Sequence, residues 1–183
     1  GSSTTETCNT YNMLKLTRHI FGWDPEASVA DYYERAVFNH ILSSQSPTTG
    51  GVCYFVPLKT GSQKDYQPLF QSFTCCVGTG MENHARYGEF IYATDGKEAL
   101  YLNLFIASRL DWKAKGVTVT QDTAFPEKPS SKVTLTCRKP TSFTLLVRKP
   151  FWAGDGYGVM VNGKPAGFAN AEGYVAVARE WKT

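Results

Sequence analysis

The sequence lacks the features of a membrane-spanning, disordered or nucleic-acid-binding chain. It has no apolar run long enough to cross a bilayer, and no signal peptide opens it. Only 19% of the 183 residues are charged, and the net charge of +3 comes from scattered basic residues. Two adjacent basic pairs, Arg138-Lys139 and Arg148-Lys149, each precede a proline, which is typical of solvated strand ends. We therefore expect no nucleic-acid partner and no membrane span. With 42% hydrophobic residues, the chain can bury a sizeable core.

Cysteine is too scarce and too irregularly spaced for a disulfide framework. The five cysteines are Cys8, Cys53, Cys75, Cys76 and Cys137, and an odd number does not pair completely. The Cys-x-x-Cys spacing of redox-active thiol pairs is missing as well, which makes a metal-free redox pair the weakest interpretation of the thiols.

Apolar residues in the first half recur with a period of about 3.6, which predicts three helices. One covers residues 9–21, with an apolar face of Met13, Leu16 and Ile20, widened by Leu14 and Phe21. The second follows Asp24-Pro25, a capping and first-turn pair, and runs to about Leu42. The third starts near Gly78 and ends at Asp95-Gly96. Residues 43–73 form a long connection with one short strand expected in 51–58, and connections of this length are usually functional.

The apolar period changes from helical to alternating after Gly96, which predicts a change of domain. The alternating segments are 100–106, 117–120, 133–136, 142–147, 158–161 and 174–177. Asn162-Gly163 is a strong signal for a two-residue hairpin turn. Short strands at regular spacing predict an antiparallel β-sandwich over residues 97–183, incomplete here, after a helical domain over residues 1–96. Three helices make too small a core, so we expect a fragment whose partners include the remainder of its own polypeptide.

Adjacent cysteines, Cys75 and Cys76, lie directly before the predicted third helix. Thiols at a helix N-terminus are favoured as thiolates, because they lie at the positive end of the helix dipole. Thiolates are both soft metal ligands and strong nucleophiles. The glycines that follow, Gly78 and Gly80, let the backbone approach a ligand closely. The alternative is that both cysteines are small apolar residues of a core.

A second short motif, Glu6-Thr7-Cys8, precedes the first helix. In an extended segment the side chains of Glu6 and Cys8 lie on one side, so both can reach a common centre. Together with Cys75 and Cys76, they would give three thiolates and a carboxylate, a ligand set that suits tetrahedral zinc. From spacing alone the alternative stays open that Glu6 is a first-turn helix charge and Cys8 a core residue.

Three segments of the chain resemble the β-L-arabinofuranosidases of glycoside hydrolase families 127 and 146: residues 6–16, 73–80 and 148–153. The resemblance extends over essentially the whole chain, and the two cysteine motifs are its most specific part. It implies an (α/α)₆ barrel followed by β-sandwich domains. Residues 1–96 would then be the C-terminal helices of the catalytic barrel, which gives an α+β multidomain fragment.

The resemblance also implies the roles of individual residues. Zinc would be bound by Glu6, Cys8, Cys75 and Cys76, and Cys75 would be the nucleophile of a retaining glycosidase that releases terminal β-L-arabinofuranose. The general acid/base would be a glutamate upstream of Glu6, outside this sequence. The substrate would be an arabinose-containing oligo- or polysaccharide of plant type, and the family suggests an extracytoplasmic location. Linkage and polymer are left open.

A structural zinc site in a carbohydrate-binding or interaction module is the alternative function. A closed structural site lacks the open position that a catalytic site keeps, so access to the Cys75 sulfur discriminates between the two. Other polar residues have simpler interpretations: Glu82 as a charge in the first turns of the third helix, Cys53 and Cys137 as core or strand residues. From their loop positions, Tyr54 and Gln71 are candidates to line the sugar site. Structural or solvated roles are expected for His19, His40, His84, Glu26, Asp31, Glu34 and Glu89.

Overall fold

The computed structural model describes residues 3–170 and 172–183; Gly1, Ser2 and Ala171 lie outside the described residues. The chain folds into two compact units. One comprises the residues up to Pro25 together with Val29–Tyr87, and the other comprises Glu26–Ser28 and Gly88–Thr183. The main division thus follows Tyr87, ahead of the change of hydrophobic period near Gly96. The assignment of domains to residues 1–96 and 97–183 stays a prediction.

Three helices dominate the first unit: α1 (Thr7–Trp23), α2 (Ala27–Ala36) and α3 (Cys75–Arg86). Helix α2 continues as a π-helical turn, Val37–Ile41, and a 3₁₀ turn, Leu42–Ser44. The predicted helices 1 and 2 are therefore present, with longer or less regular ends. No helix of the described residues has the length and apolarity that a membrane span requires.

The buried face of α1 differs from the predicted one. Its buried residues are Thr7, Tyr11, Leu14, Thr17 and Phe21, at helical spacing. The predicted face of Met13, Leu16 and Ile20 is exposed instead. Helix α1 carries two apolar stripes, and the stripe that contains Tyr11 faces α3, where the tyrosine hydroxyl finds a hydrogen-bond acceptor.

The third helix begins earlier than predicted, at Cys75, and ends at Arg86. Both cysteines are therefore inside its first turn, whereas the sequence predicts a start near Gly78. A separate helical turn, α4 (Gly88–Ile91), follows. The chain then enters a strand at Tyr92, although the periodicity had predicted helix to Asp95.

The long connection between the helices is ordered by short β pairings. Strand β1 (Thr4–Thr5) pairs antiparallel with β2 (Val56–Pro57). Of the strand expected in 51–58, only β2 and isolated bridges at Val52 and Cys53 are present. A close backbone contact requires glycine at Gly51, because a Cβ atom there would lie 2.8 Å from a carbonyl oxygen of the same connection.

The second unit contains nine strands in three sheets. The strands are β3 (Tyr92–Thr94), β4 (Ala99–Leu102), β5 (Ser108–Trp112), β6 (Val117–Thr123), β7 (Ser131–Cys137), β8 (Thr141–Arg148), β9 (Met160–Val161), β10 (Lys164–Pro165) and β11 (Tyr174–Trp181) among the described residues. One sheet has the order β11-β8-β4-β3, the second β5-β6-β7, and β9 and β10 form a hairpin. At its turn, Asn162 has φ 50° and Gly163 φ 80°, as the predicted two-residue turn requires.

One strand pair contradicts the expected all-antiparallel arrangement. Strands β4 and β8 are parallel, with Leu100 opposite Leu145, because the chain builds the β5-β6-β7 sheet before it returns to the first sheet. Every other pairing between named strands is antiparallel in the described part of the chain. Strand β5 was not predicted, because alternating polar residues leave it with little apolar signal.

Side chains from both larger sheets meet in one hydrophobic core. It consists of Leu100, Val117, Val119, Phe143, Leu145 and Val147. Buried polar side chains lie beside this core. The Arg148 Nε donates a hydrogen bond of 2.6 Å to the carbonyl oxygen of Asn103. The Tyr174 hydroxyl donates to the Asn103 Oδ1 at 2.8 Å. These bonds connect the ends of three strands of the four-stranded sheet.

The core predicts the effect of a truncation in the central strand. Leu100→Ala should lower the free energy of unfolding by about 2–5 kcal/mol, because it leaves a cavity between the sheets. Chemical denaturation measures this change. Thr134→Ala, at an exposed position of β7, is the control and should change the free energy by less than about 0.5 kcal/mol. Equal effects of the two substitutions would contradict this description of the core.

Candidate metal centre

All four predicted ligands lie together in the first unit. The donor atoms of Glu6, Cys8, Cys75 and Cys76 are within 4.8 Å of one another, the only such cluster of metal-ligand side chains in the described residues. The Sγ atoms of Cys8 and Cys75 are 3.3 Å apart. The Glu6 Oε2 lies 3.6 Å from each of these two sulfurs. Two short motifs separated by more than sixty residues of chain therefore converge on one point.

Glu6 lies directly before α1, and its side chain is directed towards the sulfurs. Glu6 is extended, with φ −118° and ψ 134°, and occupies the capping position of α1 without making a side-chain cap. Cys8 already lies in the first helical turn, so the two residues do not share one side of an extended segment as expected. Pairing of β1 with β2 fixes the direction in which the chain enters α1.

The beginning of α3 sets the positions of the adjacent cysteines. Thr74 is extended before the helix, and its hydroxyl donates a 2.9 Å hydrogen bond to the Gln67 Oε1. Successive side chains on a helix diverge by about 100°, so the two cysteines have different environments. Cys75 is exposed, whereas Cys76 is fully buried, with its sulfur 4.0 Å from the carbonyl oxygen of Tyr54.

Helices α1 and α3 are joined near the cluster by a hydrogen bond between a buried phenol and an exposed carboxylate. The Tyr11 hydroxyl donates to the Glu82 Oε2 at 2.8 Å, and Tyr11 is only 4% exposed. Because α3 begins at Cys75, Glu82 lies two turns into the helix and not in its first turn. Its carboxylate serves as an acceptor between helices, which corrects the interpretation as a first-turn charge.

The raised pKa of the Cys8 thiol disfavours its thiolate in the absence of a cation. Burial is the largest cause that raises the pKa of Cys8 to about 12, followed by its interactions with the Cys75 and Cys76 thiols. The negative charge of Glu6 is the largest cause that raises the pKa of Tyr54, with smaller effects of burial and of Cys75. A divalent cation would reverse this penalty, and three sulfur donors with one carboxylate match the preference of zinc. The residues present therefore fit the metal.

Other predicted residues have separate environments. Cys53 is buried and Cys137 lies in β7, as expected. The His84 Nδ1 lies 3.1 Å from the Tyr87 hydroxyl and outside the cluster. Tyr54 adjoins the cluster through its carbonyl, whereas Gln71 is exposed and outside the set of donors.

Two acidic side chains of α2 correct the expectation of a solvated face. Asp31 and Glu34 are 7% and 5% exposed, and neither lacks an interaction partner. Sequence reasoning also missed Tyr11 as the residue that joins the helices. The spacing of three residues between Cys8 and Tyr11 could have identified Tyr11, because this spacing places both side chains on one face of α1.

Two family models match the chain in succession. The model of the β-L-arabinofuranosidase GH127 catalytic domain matches residues 1–89. The model of the GH127 middle domain matches residues 99–183. The four clustered donors all lie in the segment that matches the catalytic domain.

Individual relatives agree with these models. A non-reducing end β-L-arabinofuranosidase from Bifidobacterium longum subsp. longum is 26% identical over 186 residues, which cover 93% of this chain and 28% of that protein. The crystal structure of a GH127 β-L-arabinofuranosidase from Geobacillus stearothermophilus T6 matches with a TM-score of 0.85 and 23% identity over 98% of this chain and 30% of its own.

A solved structure described as a glycoside hydrolase matches with a TM-score of 0.82 and 26% identity, again over 98% of this chain and 31% of its own. The chain thus spans less than a third of the length of these relatives. Together the two family models account for nearly all of its residues, and the chain belongs to glycoside hydrolase family 127.

Proposed function

We propose that this chain is part of a zinc-dependent retaining β-L-arabinofuranosidase in which Cys75 is the nucleophile. One observation carries the proposal: Cys75 is the exposed member of a cluster whose other donors are buried or partly buried. A thiol that approaches three other donors and is still open to solvent is placed to meet a substrate. The name of the Bifidobacterium longum relative supplies the substrate class, a β-L-arabinofuranoside at a non-reducing end.

In this proposal, Glu6, Cys8, Cys75 and Cys76 bind the zinc. When bound, the metal neutralises the charge of the thiolates and keeps the sulfurs deprotonated at neutral pH. Cys8 and Cys76, partly and fully buried, hold their positions within the protein. The Glu6 Oε2 lies close to the sulfurs of both Cys8 and Cys75. A change in the bond between Glu6 and the metal would therefore change the charge next to the nucleophilic sulfur.

The proposed reaction has two displacement steps. The Cys75 thiolate attacks the anomeric carbon, and an S–C bond forms as the bond to the leaving oxygen breaks. The general acid donates a proton to that oxygen as it leaves. In the second step the same group accepts a proton from water, and the water oxygen displaces the sulfur from the anomeric carbon. Because each of the two displacements inverts the anomeric carbon, the configuration is retained. We place this acid/base, a glutamate, upstream of Glu6 in the part of the enzyme outside these residues.

The proposal extends to the architecture and the substrate. The first unit would form the C-terminal helices of an (α/α)₆ barrel, whose other helices enclose the sugar. The second unit would be a β-sandwich, an interpretation supported by two sheets that share one core. The natural substrates would be arabinose-containing oligo- or polysaccharides, bound with their terminal sugar at Cys75.

A structural zinc site in a binding module is less consistent with this geometry. The metal would have the same four protein ligands in both functions, but in a structural site none of them reacts with a substrate. The exposure of Cys75 favours the catalytic proposal, because a purely structural ligand gains nothing from contact with solvent.

The metal proposal predicts zinc binding by the isolated 183-residue chain. Elemental analysis after reconstitution should give about one equivalent, and Cys8→Ser or Cys76→Ser should lower the affinity at least about tenfold, because each removes a thiolate ligand. Cys137→Ser, a change at a half-buried cysteine outside the cluster, is the matched control and should bind zinc normally. A wild-type chain that retains less than about a tenth of an equivalent would refute the site.

Zinc binding should strengthen as the pH rises. The raised pKa of Cys8, about 12, means that its thiol carries a proton at neutral pH and must release it to bind the metal. Each displaced proton makes the apparent affinity rise about tenfold per pH unit below that pKa. Competition with a chelator of known pH dependence between about pH 6 and 8 measures the slope. A flat profile would show that Cys8 is not a thiolate ligand.

The nucleophile assignment predicts activity in the full-length enzyme. Cys75→Ser should lower turnover at least about a thousandfold, because a hydroxyl is a far weaker nucleophile than a bound thiolate. Cys137→Ser should retain most activity, and release of L-arabinose from a β-L-arabinofuranosyl substrate is the assay. The 183-residue chain alone should be inactive, since a general acid contributes about a hundredfold or more. Wild-type turnover by Cys75→Ser would exclude this cysteine as the nucleophile.

A further inference from the structure

The hydrogen bond between Tyr11 and Glu82 lies between the two helices that carry the candidate ligands. Its donor and acceptor are 2.8 Å apart and are separated by 71 positions in the chain. Tyr11 is buried, so the phenol has lost most of its contact with water, and a hydrogen bond to a carboxylate is stronger than one between neutral groups.

Helical phase relates this bond to the cluster on both sides. Tyr11 follows Cys8 by three residues, which puts both side chains on one face of α1. Glu82 follows Cys75 by seven residues, close to two full turns of α3, which again puts both on one face. The bond therefore joins the same faces that present the sulfurs, one turn from the cluster on α1 and two turns on α3.

Lys15 supports the arrangement from the solvent side. Its Nζ lies 3.9 Å from the Glu82 Oε2 and 4.3 Å from the centre of the Tyr11 ring. Lys15 follows Tyr11 by four residues and thus extends the same face of α1. Both partners of this ion pair are about half exposed, so screening by water makes its contribution small.

We propose that Tyr11 and Glu82 are positioning residues of the metal centre: their hydrogen bond holds the Glu6-Cys8 pair at the correct distance from the Cys75-Cys76 pair. The proposal rests on the zinc site described above. A helix moves as a rigid body over one or two turns, so a shift of α1 against α3 changes the distances between donors directly. Neither residue touches the metal, and both act through the helices.

Tyr11→Phe tests the inference, because it removes only the hydroxyl and retains the buried ring. Zinc affinity of the 183-residue chain, measured by chelator competition, should fall about tenfold, in the range typical of residues that support metal ligands. The absorption spectrum of the cobalt-substituted chain should change as the thiolates move. Tyr87→Phe is the matched control, because its hydroxyl contacts His84 at the C-terminal end of α3 and lies outside the cluster of donors.

A double-mutant cycle separates positioning from general stability. Glu82→Met removes the acceptor oxygens at a similar side-chain length and should weaken zinc binding, and Tyr11→Phe with Glu82→Met should be no worse than the more affected single variant, since both changes remove one bond. Additive losses, or a lower melting temperature of the metal-free chain with unchanged zinc affinity and cobalt spectrum, would overturn the proposal.

Phenylarsine oxide provides a probe that does not need zinc. This trivalent arsenical bridges two nearby thiols, and the sulfurs of Cys8 and Cys75 are 3.3 Å apart. Tyr11→Phe should weaken its binding severalfold, and Tyr87→Phe should not. If the wild-type chain binds the arsenical but no zinc, with the same loss in Tyr11→Phe, the zinc proposal fails and the positioning role stands. Wild-type binding of both probes by Tyr11→Phe would refute the positioning role.

Discussion

The first unit depends on one electrostatic constraint, the convergence of four donors within 4.8 Å. Burial and the neighbouring Cys75 and Cys76 thiols raise the pKa of Cys8. The fold opposes their separation at two points near the cluster. Pairing of β1 with β2 fixes the chain before Glu6, and the hydrogen bond from Thr74 to Gln67 fixes the start of α3. These contacts therefore hold the four donors together without a bound cation.

The start of α3 gives the two adjacent cysteines different exposure to solvent. Because successive side chains on a helix diverge, Cys76 is fully buried while Cys75 is exposed. In the proposed mechanism the buried sulfur is a permanent metal ligand, and the exposed sulfur attacks the substrate. An extended Cys-Cys segment would also direct the side chains apart, but towards opposite sides, and both would not reach one centre.

Much of the site was predictable because short-range chemistry determines it. The two motifs with Cys8 and Cys75 identify the donors, and helical phase relates Tyr11 and Glu82 to them. The start of α3 was predicted three residues late, because glycines are poor helix formers and Gly78 and Gly80 obscure the first turn. The buried stripe of α1 was wrong for a different reason: both of its stripes are apolar, and periodicity does not decide which one packs.

Local backbone and side-chain chemistry predicts the types of donor side chain in the cluster, the order of helices before strands, and the hairpin turn at Asn162-Gly163. Packing between distant segments determines that Asp31 is buried and that β4 pairs with β8 in parallel. Such outcomes depend on which distant segments bury each other's apolar surface. The pairing of distant segments minimises the free energy of the whole unit, and the hydrophobic period of neither segment reveals its partner.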